Sequence, residues 1–206
     1  MSFPIVPLKK VKKKLVFTAE EIEKKISTMS RKINDHYDNL MFDKPVLVIG
    51  ILKSSVFFLT SLLKKLKFPL VVDFLQIDSY YGNFLKKKNM PVISSQTTFC
   101  PENHHVLIVE DVIESGKTLL HVKEFLNKKG VLSLNFAILI KKHVSRHVSV
   151  DLNDDFLGWH AFSLKTDDFL FGFGMDLLEQ KRELKDIFSL NLKENDFLLK
   201  FQNHKN

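Results

Sequence analysis

The segment Val106 to Leu120, reading V-L-I-V-E-D-V-I-E-S-G-K-T-L-L, constrains the fold of this chain more than any other. Four consecutive apolar residues fit a strand buried on both faces, as in a parallel sheet covered by helices. Glu110 and Asp111 then fall at the carboxyl end of that strand, the edge of an open α/β sheet where ligands bind. Glu114-Ser115-Gly116-Lys117-Thr118 leads into a leucine-rich amphipathic segment, so backbone N–H groups at the start of a helix can face an anion. Two carboxylates beside such a cradle suit a ligand that carries hydroxyls or a bound Mg²⁺ as well as a phosphate. The Gly-Lys-Thr triplet does not make a P-loop. That pattern needs a glycine five positions before Gly116, and Asp111 stands there.

Much of the chain repeats the strand-then-helix alternation. Thr18-Ala19-Glu20-Glu21 has the form of a capping box. Ile22, Ile26, Met29 and Ile33 then line one face of a helix expected to end near Tyr37. Val46 to Gly50 reads as a buried strand, Lys53-Ser54-Ser55 as a turn, Val56 to Leu66 as a helix and Leu70 to Ile77 as a strand. After the central segment a helix from about Leu119 to Lys129 ends at Gly130, and Asn135 to Ile140 is a further strand. This order predicts an α/β fold with a mostly parallel central sheet flanked by helices. Residues 81–105 contain Gly82, Lys86 to Lys88, Pro91 and Pro101 without periodicity. They are expected to form a long functional loop. Beyond Lys142 short strands are expected at Phe156 to Trp159 and Phe169 to Gly174, with a helix at Leu178 to Ile187. Residues 1–15 read as an irregular basic arm running into a short strand at Lys14 to Phe17.

At 206 residues the chain is expected to form one domain with a sizeable core. No apolar run reaches the length of a membrane-spanning helix, and the lysines after Pro7 leave no room for a secretory leader. Cys100 is the one cysteine, so an intrachain disulfide is impossible and a reducing cytoplasm is the expected home. The net charge of +7 suits a polyanionic partner, a nucleic acid or a pyrophosphorylated sugar. The lysine clusters lack the interleaved aromatic residues of a nucleic-acid platform, which argues against the nucleic acid.

The sequence E-D-V-I-E-S-G-K-T after a hydrophobic strand resembles the 5-phosphoribosyl 1-pyrophosphate (PRPP) signature of type I phosphoribosyltransferases. Within that group it is most similar to the hypoxanthine-guanine phosphoribosyltransferases. The resemblance runs over roughly residues 15–190 and touches four further regions. Gly50 to Ser55 stands at the family's pyrophosphate loop, Asp78-Ser79-Tyr80 at the entry to its flexible catalytic loop, Ile138 to Lys141 at its base-selecting lysine, and Asp168 to Asp176 at its purine-binding segment.

What the resemblance implies is specific. Glu110 and Asp111 hold the ribose hydroxyls of PRPP, partly through Mg²⁺. Glu114, Ser115, Gly116, Lys117 and Thr118 wrap the 5′-phosphate. Lys53, Ser54 and Ser55, with Arg182, take pyrophosphate, and the peptide after Lys53 is cis. Ser79 and Tyr80 ride at the start of a flexible catalytic loop, continued by residues 81–105, that closes over PRPP and excludes water. Lys141 donates to the 6-oxo group of a purine; Lys142 is adjacent, and strand alternation admits only one of the two. Phe169 stacks on the base, Leu170 pairs with its edge through the backbone, and Asp176 faces a second Mg²⁺. Glu114 stands where the family has aspartate and is the candidate proton acceptor. The stretch 143–168 is longer than in short family members, and His143, Arg146 and His147 within it read as surface residues.

The implied fold adds a small hood, made by the N-terminal and C-terminal segments, to the central sheet. The expected organisation is a single phosphoribosyltransferase domain over 1–206, with a basic arm at 1–13. The implied activity is Mg²⁺-dependent purine salvage, converting hypoxanthine or guanine with PRPP to a nucleoside monophosphate and pyrophosphate in a homodimer or homotetramer. The alternatives are a same-fold enzyme for xanthine or another base and a non-catalytic regulator that binds nucleic acid.

Overall fold

The computed structural model describes residues 5–40, 43–80, 87–95, 98–143, 158–195 and 197–200. A six-stranded sheet forms its centre. The strands are β2 (Val46–Leu52), β3 (Leu70–Tyr80), β4 (Lys87–Ser95), β5 (His105–Ile113), β6 (Ser133–His143) and β7 (Trp159–Lys165). Their spatial order is β4-β3-β2-β5-β6-β7. β3, β2, β5, β6 and β7 run parallel, and β4 returns antiparallel along β3.

Burial follows from the apolar runs. Val46 to Ile49 in β2 and Val106 to Val109 in β5 have no exposed surface, because each strand is covered on both faces. One face packs against α1 (Ala19–Asp38) and α2 (Val56–Leu63), in a core containing Ile22, Ile26, Met29, Ile33, Phe58 and Leu62. The other carries α3 (Lys117–Asn127), with Leu119, Val122 and Leu126 against Leu47, Ile49 and Ile108. Each of these large side chains contributes about 1.5–3 kcal/mol by leaving water. Helix α1 starts as the sequence predicts: the Thr18 hydroxyl accepts from the Glu21 N–H, and the Glu21 carboxylate accepts from the Thr18 N–H at 2.8 Å.

A second, three-stranded antiparallel sheet, β1 (Lys14–Phe17), β9 (Ile187–Leu190) and β8 (Phe169–Phe171), forms the hood. Its core holds Val6, Val11, Phe171, Leu177, Leu190 and Leu198. The basic arm is therefore docked rather than irregular. Its valines are buried, a 3₁₀ turn occupies Leu8–Lys10, and the Lys12 N–H and carbonyl both bond the fully buried Asn195 side chain, at 2.8 and 3.0 Å. Asn195 belongs to a 3₁₀ turn at Leu192–Asn195, followed by a short helix α4 (Phe197–Lys200).

Three expectations are corrected. Residues 81–105 are not all loop, since β4 lies within them. Pro91 and the lysines that obscure it in the sequence are residue types that an edge strand tolerates. Leu178 to Ile187 is not a helix. Leu178, Glu179 and Lys181 have φ of 56°, 62° and 68°, and the chain runs through tight turns into β9. Leu178, Leu184 and Ile187 pack into the hood and main cores from this irregular segment. The strand expected at Phe156 begins at Trp159; Phe156, Arg146 and His147 lie outside the described residues.

Candidate active site

The site gathers at the carboxyl edge of the parallel strands, where the hood approaches. Glu110 and Asp111 are near the end of β5. Asp111 is buried at 9 % exposure, and burial pushes its carboxyl up to about 6 despite hydrogen bonds from backbone N–H groups and the charge of Arg182; Asp176 adds to the rise. Glu110 is pushed well above the usual carboxylate range, by burial first and by Asp111 second. Its Oε2 is buried without a hydrogen-bond partner, the one such side-chain atom among the described residues. A buried carboxylate oxygen without a donor is costly, so this atom is a place for a ligand hydroxyl or a cation. No group of three or more His, Cys, Asp or Glu side chains among the described residues could cage a metal. A Mg²⁺ here fits as an ion shared between one or two carboxylates and ligand oxygens, which is its usual manner of binding.

The turn expected to cradle an anion follows β5. Gly116, at φ 74°, turns the chain into α3, which begins two residues earlier than the sequence suggests. No side chain caps the helix, so its first N–H groups point outward with the positive end of the helix dipole. Glu114 and Ser115 form the turn before it. Glu114 Oε1 receives a hydrogen bond from Lys142 Nζ at 2.9 Å.

The two adjacent lysines near the end of β6 differ in their surroundings. Lys142 is buried at 6 % exposure and faces Glu114, whereas Lys141 is half-buried and follows the opposite alternation of β6. The signal was present in the sequence as the two adjacent lysines, but only the register of β6 against β5, with Ile113 beside Lys141, sets the phase.

The turn after β2 supplies Lys53, Ser54 and Ser55. Its cis peptide is Leu52–Lys53, one bond before the expected position, where β2 runs out. Ser55 is fully buried and its hydroxyl donates to the Ile51 carbonyl at 2.6 Å, which closes the turn inward. Lys53 is exposed and reaches Glu179 Oε2 at 3.3 Å. Ser79 and Tyr80 form the backbone end of β3; their side chains lie outside the described parts of the structure.

The hood contributes the other wall. Phe169 is half-buried and packs toward the hood core, while Leu170 faces the main core, as alternation along β8 requires. Gly172 and Gly174 both have φ 95°, a conformation that admits the chain reversal after β8. Arg182 is the hub. Its Nη1 donates to the Gly174 carbonyl at 2.8 Å and to Ser54 Oγ at 3.2 Å. Its Nη2 lies 3.0 Å from Asp176 Oδ1 and 3.1 Å from Glu179 Oε2. Asp176 also accepts the Glu179 N–H at 2.8 Å. Arg182 and Asp176 both act on the ionisation of Asp111, so the hood charges and the β5 carboxylates belong to one electrostatic site. Glu179 was not expected here, and its left-handed backbone leaves no mark in the sequence.

A parallel sheet with an acidic pair and an uncapped helix at its carboxyl edge, closed by a small antiparallel hood, defines a phosphoribosyl-transfer architecture. The phosphoribosyl transferase domain family matches residues 15–180, and the chain belongs to that family. It is 31% identical over 178 residues to the hypoxanthine-guanine phosphoribosyltransferase of Staphylococcus epidermidis, covering 86% of this chain and 93% of the relative. The hypoxanthine phosphoribosyltransferase of Trypanosoma cruzi, solved in work on the role of its C-terminal region in oligomeric state and activity, superimposes with a TM-score of 0.78 at 27% identity, over 94% of this chain and 98% of that one. A solved glutamic-acid mutant of an aspartate described as invariant in HPRTs superimposes with a TM-score of 0.75 at 27% identity, over 90% of this chain and 98% of that one.

Proposed function

We propose that the chain is a purine salvage enzyme, a hypoxanthine or hypoxanthine-guanine phosphoribosyltransferase. It joins a 6-oxopurine to PRPP and releases pyrophosphate. The observation that carries this reading is the unpartnered Glu110 Oε2 beside Asp111, on the strand that leads into the uncapped start of α3, with Asp111 within the electrostatic reach of Arg182. A ribose with a phosphate at one end and a pyrophosphate at the other matches that layout.

In this reading Glu110 and Asp111 receive the ribose hydroxyls. The amides of Ser115, Gly116, Lys117 and Thr118 receive the 5′-phosphate. Lys53, the Ser54–Ser55 turn and Arg182 receive the pyrophosphate. Phe169 stacks on the purine and the Leu170 backbone meets its edge. Lys142, rather than Lys141, donates to the 6-oxo group, since it is the buried lysine on the Glu114 side. An ammonium donor suits an oxo acceptor and disfavours the amino group of adenine.

Chemistry then follows from placement. The bond from C1′ to the pyrophosphate oxygen breaks with its electron pair leaving on pyrophosphate. A purine ring nitrogen bonds to C1′ and the base gives up a proton, with Glu114 as acceptor. Glutamate is one methylene longer than aspartate, and its pairing with Lys142 draws the carboxylate back toward β6. Lys53 and Arg182 stabilise charge as it grows on the leaving group. Mg²⁺, held by Glu110, Asp111 and Asp176 together with substrate oxygens, would neutralise pyrophosphate charge when bound. Ser79 and Tyr80 close over the site and exclude water from the reactive sugar. The single cysteine suits a reducing compartment, which supports a cytoplasmic enzyme; the family resemblance supports a homodimer or homotetramer.

The test is an ultraviolet assay of the full chain with PRPP and Mg²⁺, offering hypoxanthine, guanine, xanthine and adenine separately. Turnover of hypoxanthine or guanine, lost on chelation and absent with adenine, is the expected result. Turnover of xanthine alone moves the assignment to another base. No turnover with any base, in a folded protein that binds nucleic acid in a salt-sensitive manner, refutes the enzyme.

A further inference from the structure

Glu179 lies between the two cations assigned to pyrophosphate. Its Oε2 sits 3.3 Å from Lys53 Nζ and 3.1 Å from Arg182 Nη2. Lys53 comes from the turn after β2 and Arg182 from the hood, so one carboxylate bridges two parts of the fold.

The backbone is shaped to hold it there. Leu177 and Gln180 exchange two hydrogen bonds, at 2.7 and 3.1 Å, around Leu178 and Glu179. Both central residues are left-handed, at φ 56° and 62°, in a tight turn whose usual occupants are Asn-Gly or Asp-Gly. Leucine and glutamate adopt that conformation at a cost. The turn is fastened on both sides: the Glu179 N–H donates to Asp176 Oδ2 at 2.8 Å, and Gln180 Oε1 accepts the Val6 N–H at 3.1 Å. Burial opposes ionisation of Glu179, but hydrogen bonds and charge from Arg182 and Lys53 outweigh it and hold the group below the usual glutamate range.

We propose that Glu179 is an internal competitor for pyrophosphate: its carboxylate occupies Lys53 and Arg182, must be displaced by the pyrophosphate group of PRPP, and on returning helps to expel product pyrophosphate. The inference rests on reading Lys53 and Arg182 as the pyrophosphate-binding cations. A pyrophosphate carries several charges against one and wins the exchange, yet each binding event includes the loss of two ion pairs. Glu179 is thus a positioning residue that weakens ground-state binding and favours product release.

Glu179→Gln keeps the size of the side chain and the turn hydrogen bonds while removing the charge. Calorimetric titration of the full chain with inorganic pyrophosphate and Mg²⁺ should show binding tightened by about threefold to tenfold, the range expected when one or two exposed ion pairs no longer compete. KM for PRPP should fall by a similar factor, KM for the purine should stay unchanged, and pyrophosphate should dissociate more slowly. Glu179→Ala should behave like Glu179→Gln. Weaker pyrophosphate binding in both variants, with thermal midpoints near that of the parent, would overturn the proposal, because a group that merely holds Arg182 in place predicts that sign. Unchanged binding would overturn it too. The underlying assignment has its own control: Lys53→Gln and Arg182→Gln should bind pyrophosphate less tightly. If both bind it as the parent does, the cation assignment and the proposal fall together.

Discussion

Gly174 of the hood lies against the backbone of Ser54 in the turn after β2, and Gly174→Ala exposes how much the candidate site depends on that contact. A Cβ at Gly174 would overlap the Ser54 carbonyl oxygen far inside 3.0 Å, a separation that Cβ contacts essentially never breach, and would meet Phe57 Cβ at 3.4 Å. The residue also has φ 95°, a conformation that costs an L side chain about 1–3 kcal/mol. Forcing a methyl into a packed backbone contact adds about 1–3 kcal/mol. The sum is about 2–6 kcal/mol, set against a total stability of about 5–15 kcal/mol for a domain. Relief of the overlap requires Ser54 to move by about 1 Å, a displacement that can lower activity about 100-fold at a positioned group. Gly130→Ala separates strain from overlap. It sits at φ 75° after α3 with only Glu102 Cγ nearby, at 3.4 Å. It should cost about 1–2 kcal/mol and leave catalysis unchanged. Urea unfolding and steady-state kinetics with PRPP varied would measure both. A Gly174→Ala protein with the stability of Gly130→Ala and parental kcat/KM for PRPP would refute the reasoning.

Two further outcomes follow from the same geometry. Lys142→Met should raise KM for the purine about tenfold to a hundredfold, the value of a charged hydrogen bond, whereas Lys141→Met should change it by less than about threefold; the reverse order in steady-state kinetics would restore Lys141 as the base-contacting lysine. Asp111→Asn should abolish turnover yet raise the thermal midpoint at pH 8 without ligands. The folded carboxyl is raised from 3.8 to about 6, so the folded state binds more protons than the unfolded one between those values, and ionised Asp111 lowers stability progressively across that window and fully above it. The advantage of the variant should therefore shrink as pH falls through 6 toward 4. A midpoint difference that does not vary between pH 4 and 8 would remove burial of Asp111 as the cause.

Local chemistry decided how much of this fold was legible. The capping box at Thr18–Glu21 and the one-sided isoleucines of α1 are short-range signals, and the helix forms where they put it. The apolar runs of β2 and β5 are legible because a doubly covered parallel strand has no polar face to confuse the pattern. The edge strand β4 was hidden by the lysines and proline that suit an edge. In the candidate site, Glu110, Asp111 and the Ser115–Thr118 cradle sit on local patterns, but the choice between Lys141 and Lys142 needs the register of β6 against β5. The turns from Leu178 to Lys181 were illegible because three non-glycine residues take φ values that their side chains resist. Tertiary bonds to Arg182, Asp176 and Val6 hold that backbone, and no local propensity reports them.

Those bonds also explain why segments outside the family match bear on the site. The matched region ends at residue 180, inside the turn that presents Glu179. Two of the residues that hold the turn lie outside the match: Arg182 just beyond it and Val6 well before it. Val6 is in turn buried with Val11, Leu177 and Leu198, and Asn195 ties the Lys12 backbone to the C-terminal 3₁₀ turn. The arm and the C-terminal segment therefore form one packed unit beneath the turn. The main sheet supplies carboxylates and the anion cradle on rigid strand ends, while the hood supplies Asp176, Glu179 and Arg182 on a strained loop. Strained backbone persists only where its surroundings over-determine it, so the packing of the arm beneath the turn is part of what holds Glu179 against Lys53 and Arg182.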